Sequence, residues 1–122
     1  MDPVSHALLG AGCAQSRTRA EKLLPAAVVA GLASLAPDLD LLLQSFTDPL
    51  RFLELHRQFT HALVFAPFGA ALCALAARPA ARHRLTFRET YLACLAGFAS
   101  HGLLDACTSY GTQLLWPFAD VR

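Results

Sequence analysis

The stretch 101-HGLLDACTSYG-111 decides how the rest of the chain is arranged. It is typical of the end of a helix, on which His101 and Asp105, four residues apart, share one face. One imidazole and one carboxylate on the same helical face can ligate a single divalent metal ion. Taken alone, such a pair is more often a core histidine and a helix-ending aspartate. The other polar residues of the chain therefore decide between the two interpretations.

The composition predicts an all-α fold. The 122 residues suffice for one domain, 55% of them are hydrophobic and only 16% are charged. Ala and Leu dominate, and the alternation of β-branched residues that marks strands does not occur. The mean hydropathy of +0.42 fits either a membrane-embedded bundle or a very apolar soluble one.

Charge and cysteine usage exclude other classes of protein. The net charge is +1, and no basic surface interleaved with aromatic residues is apparent, so we expect no direct nucleic-acid binding. The cysteines are widely separated in apolar runs, without a C-x-x-C motif. They are expected to be buried packing residues rather than disulfides or thiolate metal ligands. They are Cys13, Cys73, Cys94 and Cys107.

The first two helices are marked by a cap and a stop. The first is predicted from an N-cap at Ser5 to about Gln15. The second is predicted from about Leu24 to Ala36, where Pro37 stops it because proline cannot donate a backbone hydrogen bond.

The third helix is predicted to be capped by Thr60, to carry His61 in its first turn and to end at Ala77, with a kink at Pro67. The fourth is predicted from about Arg88 or Glu89 to a termination at Gly111. Short connections between these helices favour an up-and-down bundle.

In that topology, every candidate metal ligand falls at one end of the bundle. The ligands lie at or just before the start of the first and third helices, just after the second, and near the end of the fourth: His6, Asp38, Asp40, His56, His61, His101 and Asp105. Most of the basic residues fall at the other end: Arg17, Arg19, Lys22, Arg78, Arg82, Arg84 and Arg88. Two acids in apolar surroundings, such as Asp38 and Asp40, are costly unless a cation holds them or a surface turn exposes them. The segregation of the two sets favours a metal site.

Histidine and aspartate ligands without thiolates suit zinc, manganese or iron. Asp38 is slightly favoured as the direct ligand because Pro37 fixes its turn, although either Asp38 or Asp40 can be the one that orients a histidine. A carboxylate that bridges two ions would suit phosphoester cleavage by a metal-activated water. Arg57, which with Asp40 is a candidate catalytic residue, either neutralises an anionic substrate or pairs with a nearby acid. The hydroxyls of Thr108 and Tyr110 either orient ligands or, for Thr108, cap the helix.

The apolar runs, about 11 to 17 residues long, lie at the lower edge of what crosses a hydrocarbon core of about 30 Å. The third and fourth helices are long enough with their ends counted, whereas the first two are short unless neighbours shield them. In a membrane, the positive-inside rule places the basic turns in the cytoplasm and the metal site on the periplasmic side. A soluble bundle with a basic rim is the alternative.

Four ordered motifs resemble a known family: 1-MDPVSHALLG-10, 37-PDLD-40, 56-HRQFTH-61 and the opening stretch. They are similar to the YdjM-type family of LexA-regulated, metal-dependent hydrolases of the bacterial inner membrane. The resemblance covers nearly the whole chain and implies a multi-pass membrane protein with hydrolase activity.

The order of the ligands is also similar, more distantly, to the zinc-dependent phospholipase C / P1 nuclease superfamily. That likeness implies that Asp38 or Asp40, His61, His101 and Asp105 are the core ligands, with His6 on a neighbouring ion. Those enzymes carry further ligands downstream that this chain does not contain. We therefore expect residues 1–122 to be a single hydrolase-like domain from the N-terminal part of a longer protein.

Three functions follow from these observations. The leading hypothesis is a membrane-bound, metal-dependent hydrolase that acts on a small-molecule or lipid phosphoester, with membrane lipid as its surroundings. The second is a membrane protein with a structural or transport metal site. The third is a soluble helical interaction domain without metal.

Overall fold

A computed structural model describes residues 2–43, 60–109 and 111–119, and for residues 40–43 it describes the backbone alone. These residues contain no strand, which confirms the all-α fold. They form four α-helices and two 3-10 segments. The helices are α1 (Pro3–Gln15), α2 (Leu23–Ala33), α3 (Ala66–Ala81) and α4 (Phe87–Ala106), and the 3-10 segments are Ala20–Lys22 and Ala36–Leu43.

Helix α1 begins earlier than the sequence predicted. Its N-cap is Asp2, not Ser5, because the Asp2 carboxylate accepts hydrogen bonds from the Ser5 amide at 2.9 Å and the Ser5 hydroxyl at 2.7 Å. Pro3 occupies the first turn, where its missing N–H costs nothing. His6 consequently lies in the first full turn of the helix.

Helix α2 ends earlier than predicted, and Pro37 is not the residue that ends it. The helix ends at Ala33, three residues before the predicted end, and Pro37 lies within the 3-10 segment Ala36–Leu43. This short segment carries Asp38 back across the end of α4, which it contacts. The acidic residue is therefore held on ordered backbone.

The boundaries of α3 were predicted wrongly at both ends. The helix begins at Ala66 rather than after Thr60, and Pro67 lies in its first turn, where it does not kink the helix. It also continues through Pro79 to Ala81, past the predicted end. His61 therefore lies in the turn that precedes the helix and not in its first turn.

Helix α4 is fixed at its start by a capping box. The Thr86 hydroxyl accepts from the Glu89 amide, and the Glu89 carboxylate accepts from the Thr86 amide. The helix ends at Ala106, five residues before the predicted terminator, and Gly111 lies beyond it with a φ of 63°. His101 and Asp105 thus occupy its last turns.

Helix α4 is the central element and packs against the other three helices, whereas α2 and α3 touch little. The packing relies on small residues: a Cβ at Gly97 of α4 would overlap the Ala30 carbonyl of α2. The buried apolar residues are mostly alanines. The largest fully buried side chains include His6, His101 and Asp105, so the polar end is part of the core.

Many large apolar side chains face outward. Leu8, Leu32, Phe68 and Leu72 are each about two thirds exposed (between 65% and 69%). Small residues between helices and large apolar residues on the outside are typical of bundles that face lipid.

Among the described residues, one helical stretch has the length and hydropathy to cross a membrane, Ala20–Leu39. This stretch meets the criteria of length and composition for a membrane span, whereas α3 is apolar but shorter than a span requires. The sequence had predicted spans at the third and fourth helices and a second helix that was too short. The difference arises because 3-10 segments extend α2 in both directions.

Candidate metal centre

His101 projects from α4 into the end of the bundle that holds the acids. Its side chain is fully buried, and its Nδ1–H donates a hydrogen bond of 2.5 Å to the Ser34 carbonyl just after α2. Because a carbonyl only accepts, this bond fixes the tautomer and leaves the Nε2 lone pair directed at the cluster. Metal-ligating histidines are commonly held in this way.

His61 reaches the cluster from the turn before α3. The Thr60 hydroxyl lies 2.9 Å from its Nδ1, and its Nε2 lies 3.0 Å from Nε2 of His101. The turn packs directly on α4, because a Cβ on Gly102 would come within 2.6 Å of the His61 carbonyl oxygen. The segment after α4 supports the same turn, since the Leu63 amide donates to the Leu114 carbonyl.

Two carboxylates complete the group. Asp38 Oδ1 lies 3.3 Å from His101 Nε2 and 3.6 Å from His61 Nε2. Asp105 Oδ2 lies 3.6 Å from each of the same two nitrogens. Asp105 is 1% exposed and Asp38 is 26% exposed, so Asp38 is the more accessible of the two carboxylates.

These four residues fit a divalent metal ion. Four ligands at about 2.0–2.1 Å from a tetrahedral ion are about 3.3–3.4 Å apart. The distances given above run from 3.0 to 3.6 Å, and all four ligand atoms lie within 4.8 Å of one another. A cluster of Asp and His side chains that is able to hold a metal ion is therefore present, and its geometry and donor types do not select the metal.

His6 lies beside this group rather than within it. Its ring stacks on the His101 ring, with centroids 3.7 Å apart. Its Nε2 lies 3.2 Å from Asp105 Oδ1, whereas the contacts of Asp105 with His61 and His101 are made by Oδ2. Its Nδ1 is buried without a hydrogen-bond partner among the described residues.

Several predicted site residues are not placed by the structure. His56, Arg57 and the side chain of Asp40 lie outside the described residues, so their roles stay predictions. Thr108 donates a 2.6 Å hydrogen bond to the Asp105 carbonyl, which is a helix-ending role. Tyr110 is also outside the described part of the chain.

Sequence reasoning missed the groups that hold the histidines in place. Ser34 acts through its carbonyl, which every residue possesses, so no pattern reveals it. Gly102 lies between the two residues of the opening motif, and a glycine in that position was the one available signal. Thr60 was predicted to cap a helix, whereas its hydroxyl contacts the His61 ring.

The basic end lies at the start of α4, about 21 Å along the helix from His101. Lys22 pairs with Glu89 at 2.8 Å, and the Arg78 guanidinium lies over the Phe87 ring at 5.9 Å from its centroid. His83 is exposed there.

Comparison with known proteins identifies the same family that the four sequence motifs resemble. The family model described as YdjM inner membrane protein matches residues 1–122. The inner membrane protein YbcI of Escherichia coli (strain K12) is 35% identical over 101 residues, which cover 80% of this chain and 57% of that relative. The chain thus spans little more than half the length of this curated relative. No solved structure matches the chain, and the likeness to the phospholipase C / P1 nuclease superfamily stays a prediction. The match over the full length of the sequence shows that the chain belongs to the YdjM family of inner membrane proteins.

Proposed function

We propose that this chain forms the metal-binding part of a membrane-bound, metal-dependent hydrolase that cleaves a phosphoester of a lipid or a small molecule. One observation carries the proposal: Asp38, His61, His101 and Asp105 come from three separate segments and converge at the spacing of metal ligands. A divalent ion, with zinc, manganese or iron as candidates, supplies Lewis-acid activation of a water near neutral pH when it is bound.

The protein residues supply position, burial and access. The hydrogen bond from His101 Nδ1 to Ser34 holds one imidazole in the ligating tautomer. The packing of the His61 turn on Gly102 brings the second imidazole to it. Asp38, which is 26% exposed, lies where a substrate would approach. An open approach is what separates a catalytic metal site from a closed structural one.

We extend the proposal to a second ion at His6. Asp105 presents Oδ1 to His6 and Oδ2 to His61 and His101, so its carboxylate faces ligands on both sides. Bridging carboxylates of this kind occur in two-metal phosphoester hydrolases. If His6 only orients Asp105, the protein should bind one ion per chain. Metal analysis of the purified protein distinguishes the two, because His6→Ala should reduce a content of two ions to one.

The test of function combines metal content with turnover of generic phosphodiester and phospholipid substrates. Asp38→Asn keeps the side-chain volume and removes one ligand charge, so we expect at least about a 100-fold loss of both metal affinity and turnover. His83→Ala, an exposed histidine at the basic end, is the matched control and should retain both.

Two results would contradict the proposal in different ways. Wild-type protein that binds no divalent ion would exclude every metal-based function. Bound metal without turnover on any phosphoester would favour the alternative, a structural or transport metal site.

The proposal also concerns how the protein is oriented in the membrane. Members of this family are inner membrane proteins, and we propose that the helices cross the membrane several times with the metal centre toward the periplasm. The basic turns would then face the cytoplasm, as the positive-inside rule requires.

A further inference from the structure

A long apolar groove runs between α2 and α3, the two helices that touch little. It encloses about 660 Å³, and Cys94 of α4 lies among its lining residues. Leu24, Val28 and Leu32 form its α2 side, and alanines such as Ala76 form its α3 side. Leu24, Val28 and Leu32 are each more than half exposed, so the groove is open to the surroundings of the protein.

The length of the groove matches one leaflet of a bilayer. Its α2 side runs from Leu24 to Ala33, a rise of about 14 Å along a helix. The hydrocarbon core is about 30 Å thick, so one leaflet contributes about 15 Å. A transmembrane helix of a partner would need a groove of the full thickness, whereas an acyl chain needs half of it.

The charge at one end of the groove suits an anionic headgroup. Arg84 lines the end of the groove nearest the basic turns, and no acidic residue lines it. No described carboxylate forms an ion pair with Arg84. An arginine at a membrane surface attracts lipid phosphate, to which it can donate two hydrogen bonds.

A second groove repeats this arrangement. It encloses about 690 Å³, follows one face of α4, and has Arg17 and Arg19 at the same end of the bundle. Glu89 also lines this second groove, which therefore contains a carboxylate, whereas no acidic residue lines the α2–α3 groove. The α2–α3 groove is therefore the better anion site of the two.

We propose that the α2–α3 groove binds one acyl chain of an anionic phospholipid from the leaflet on the basic side, with Arg84 on the lipid phosphate. The inference rests on the membrane location and not on the metal centre, which lies at the opposite end of α4. The lipid phosphate would be too far from His101 and Asp105 to be cleaved there, so the lipid acts as a bound structural ligand.

The experiment is native mass spectrometry of the full chain in detergent, titrated with phosphatidylglycerol or with zwitterionic phosphatidylethanolamine. We expect one tightly retained phosphatidylglycerol and weaker retention of phosphatidylethanolamine. Arg84→Gln should weaken phosphatidylglycerol binding about fivefold, because one basic residue near the membrane surface contributes about 1 kcal/mol of attraction to anionic lipid. Ala76→Phe should block the groove and reduce retention of both lipids.

Each variant has a matched control on the same segment. Arg82→Gln removes an exposed arginine that does not line the groove, and Leu75→Phe enlarges an exposed side chain next to it. Equal phosphatidylglycerol binding by Arg84→Gln, Ala76→Phe and the wild type would overturn the proposal. A change of oligomeric state in Ala76→Phe alone would also overturn it, because a second copy would then occupy the groove. The metal content should stay constant throughout, so the outcome is independent of the proposed hydrolase activity.

Discussion

Gly102 allows the helix that carries His101 and Asp105 to lie against the turn that carries His61. A Cβ at this position would lie 2.6 Å from the His61 carbonyl oxygen. We therefore expect Gly102→Ala to displace His61 and to weaken metal binding about 10- to 100-fold, as loss of a ligand's support does elsewhere. Metal-buffered dialysis followed by elemental analysis measures the affinity.

Gly12→Ala is the matched control for this prediction. Gly12 lies within α1, and a Cβ there meets nothing within 4 Å. This change should leave metal binding intact and stabilise the helix by about 0.5–1 kcal/mol. Unchanged metal affinity in Gly102→Ala would show that the close contact does not position His61.

At the level of single residues, the sequence predicted that Asp38, His61, His101 and Asp105 lie at the same end of the bundle, but it did not predict which groups hold them in place. His101 and Asp105 share a face because they are four residues apart, and that relation follows from helix geometry. The orientation of the His101 ring depends on a carbonyl that is 67 positions away in the chain. Local patterns contain no information about such a partner, because every residue has the same carbonyl.

Helix α1 depends on the charge of its cap. The two hydrogen bonds from Ser5 lower the pKa of Asp2 below its ordinary value. A carboxyl whose pKa is lower in the folded protein stabilises the fold above the unfolded-state pKa, about 3.9, and this stabilisation is lost as the pH falls through the folded value. Asp2→Asn keeps a capping oxygen and removes the titration.

We therefore expect wild-type protein to melt at a higher temperature than Asp2→Asn near neutral pH, and the difference to vanish in acid. Thermal unfolding followed by circular dichroism, at matched pH values, measures this. A difference that persists unchanged below the folded-state pKa would contradict a role for the ionised cap.

At the level of elements, helix type was predictable and helix ends were less so. Thr86 and Glu89 form a capping box that the sequence displays, and the predicted start of α4 falls within two residues of it. Pro67 was interpreted as a kink, although proline is equally suited to a first turn. The two interpretations differ only in where the helix begins, and that depends on how the His61 turn packs on α4.

The whole molecule has two chemically different ends, and this polarity predicts its orientation. A periplasm-active alkaline phosphatase fused after Asp48 should be active, and the same reporter after Arg19 should be inactive. We expect the basic turns to remain in the cytoplasm because lysine and arginine resist translocation. Fluorescent-protein fusions at both positions should give the reverse pattern. Activity of the phosphatase at both positions would contradict a crossing by the stretch Ala20–Leu39.

The overall arrangement was predictable because polar residues are scarce in this chain. With 16% charged residues, each buried acid or histidine restricts the topology strongly. The α2–α3 groove was not predictable, since it depends on which pairs of helices touch. Periodicity gives the apolar faces of helices but not their partners.

The polar cluster occupies the interior of a bundle whose apolar core consists mainly of alanine. Small side chains bury little apolar area, so the hydrophobic contribution to folding is modest. A ligand that binds only the folded state adds about 2.7 kcal/mol at a free concentration one hundred times its Kd. If the proposed metal ion binds only the folded bundle, folding of this protein would be thermodynamically linked to metal supply: when the free ion becomes scarce, the population of folded bundle would fall with it.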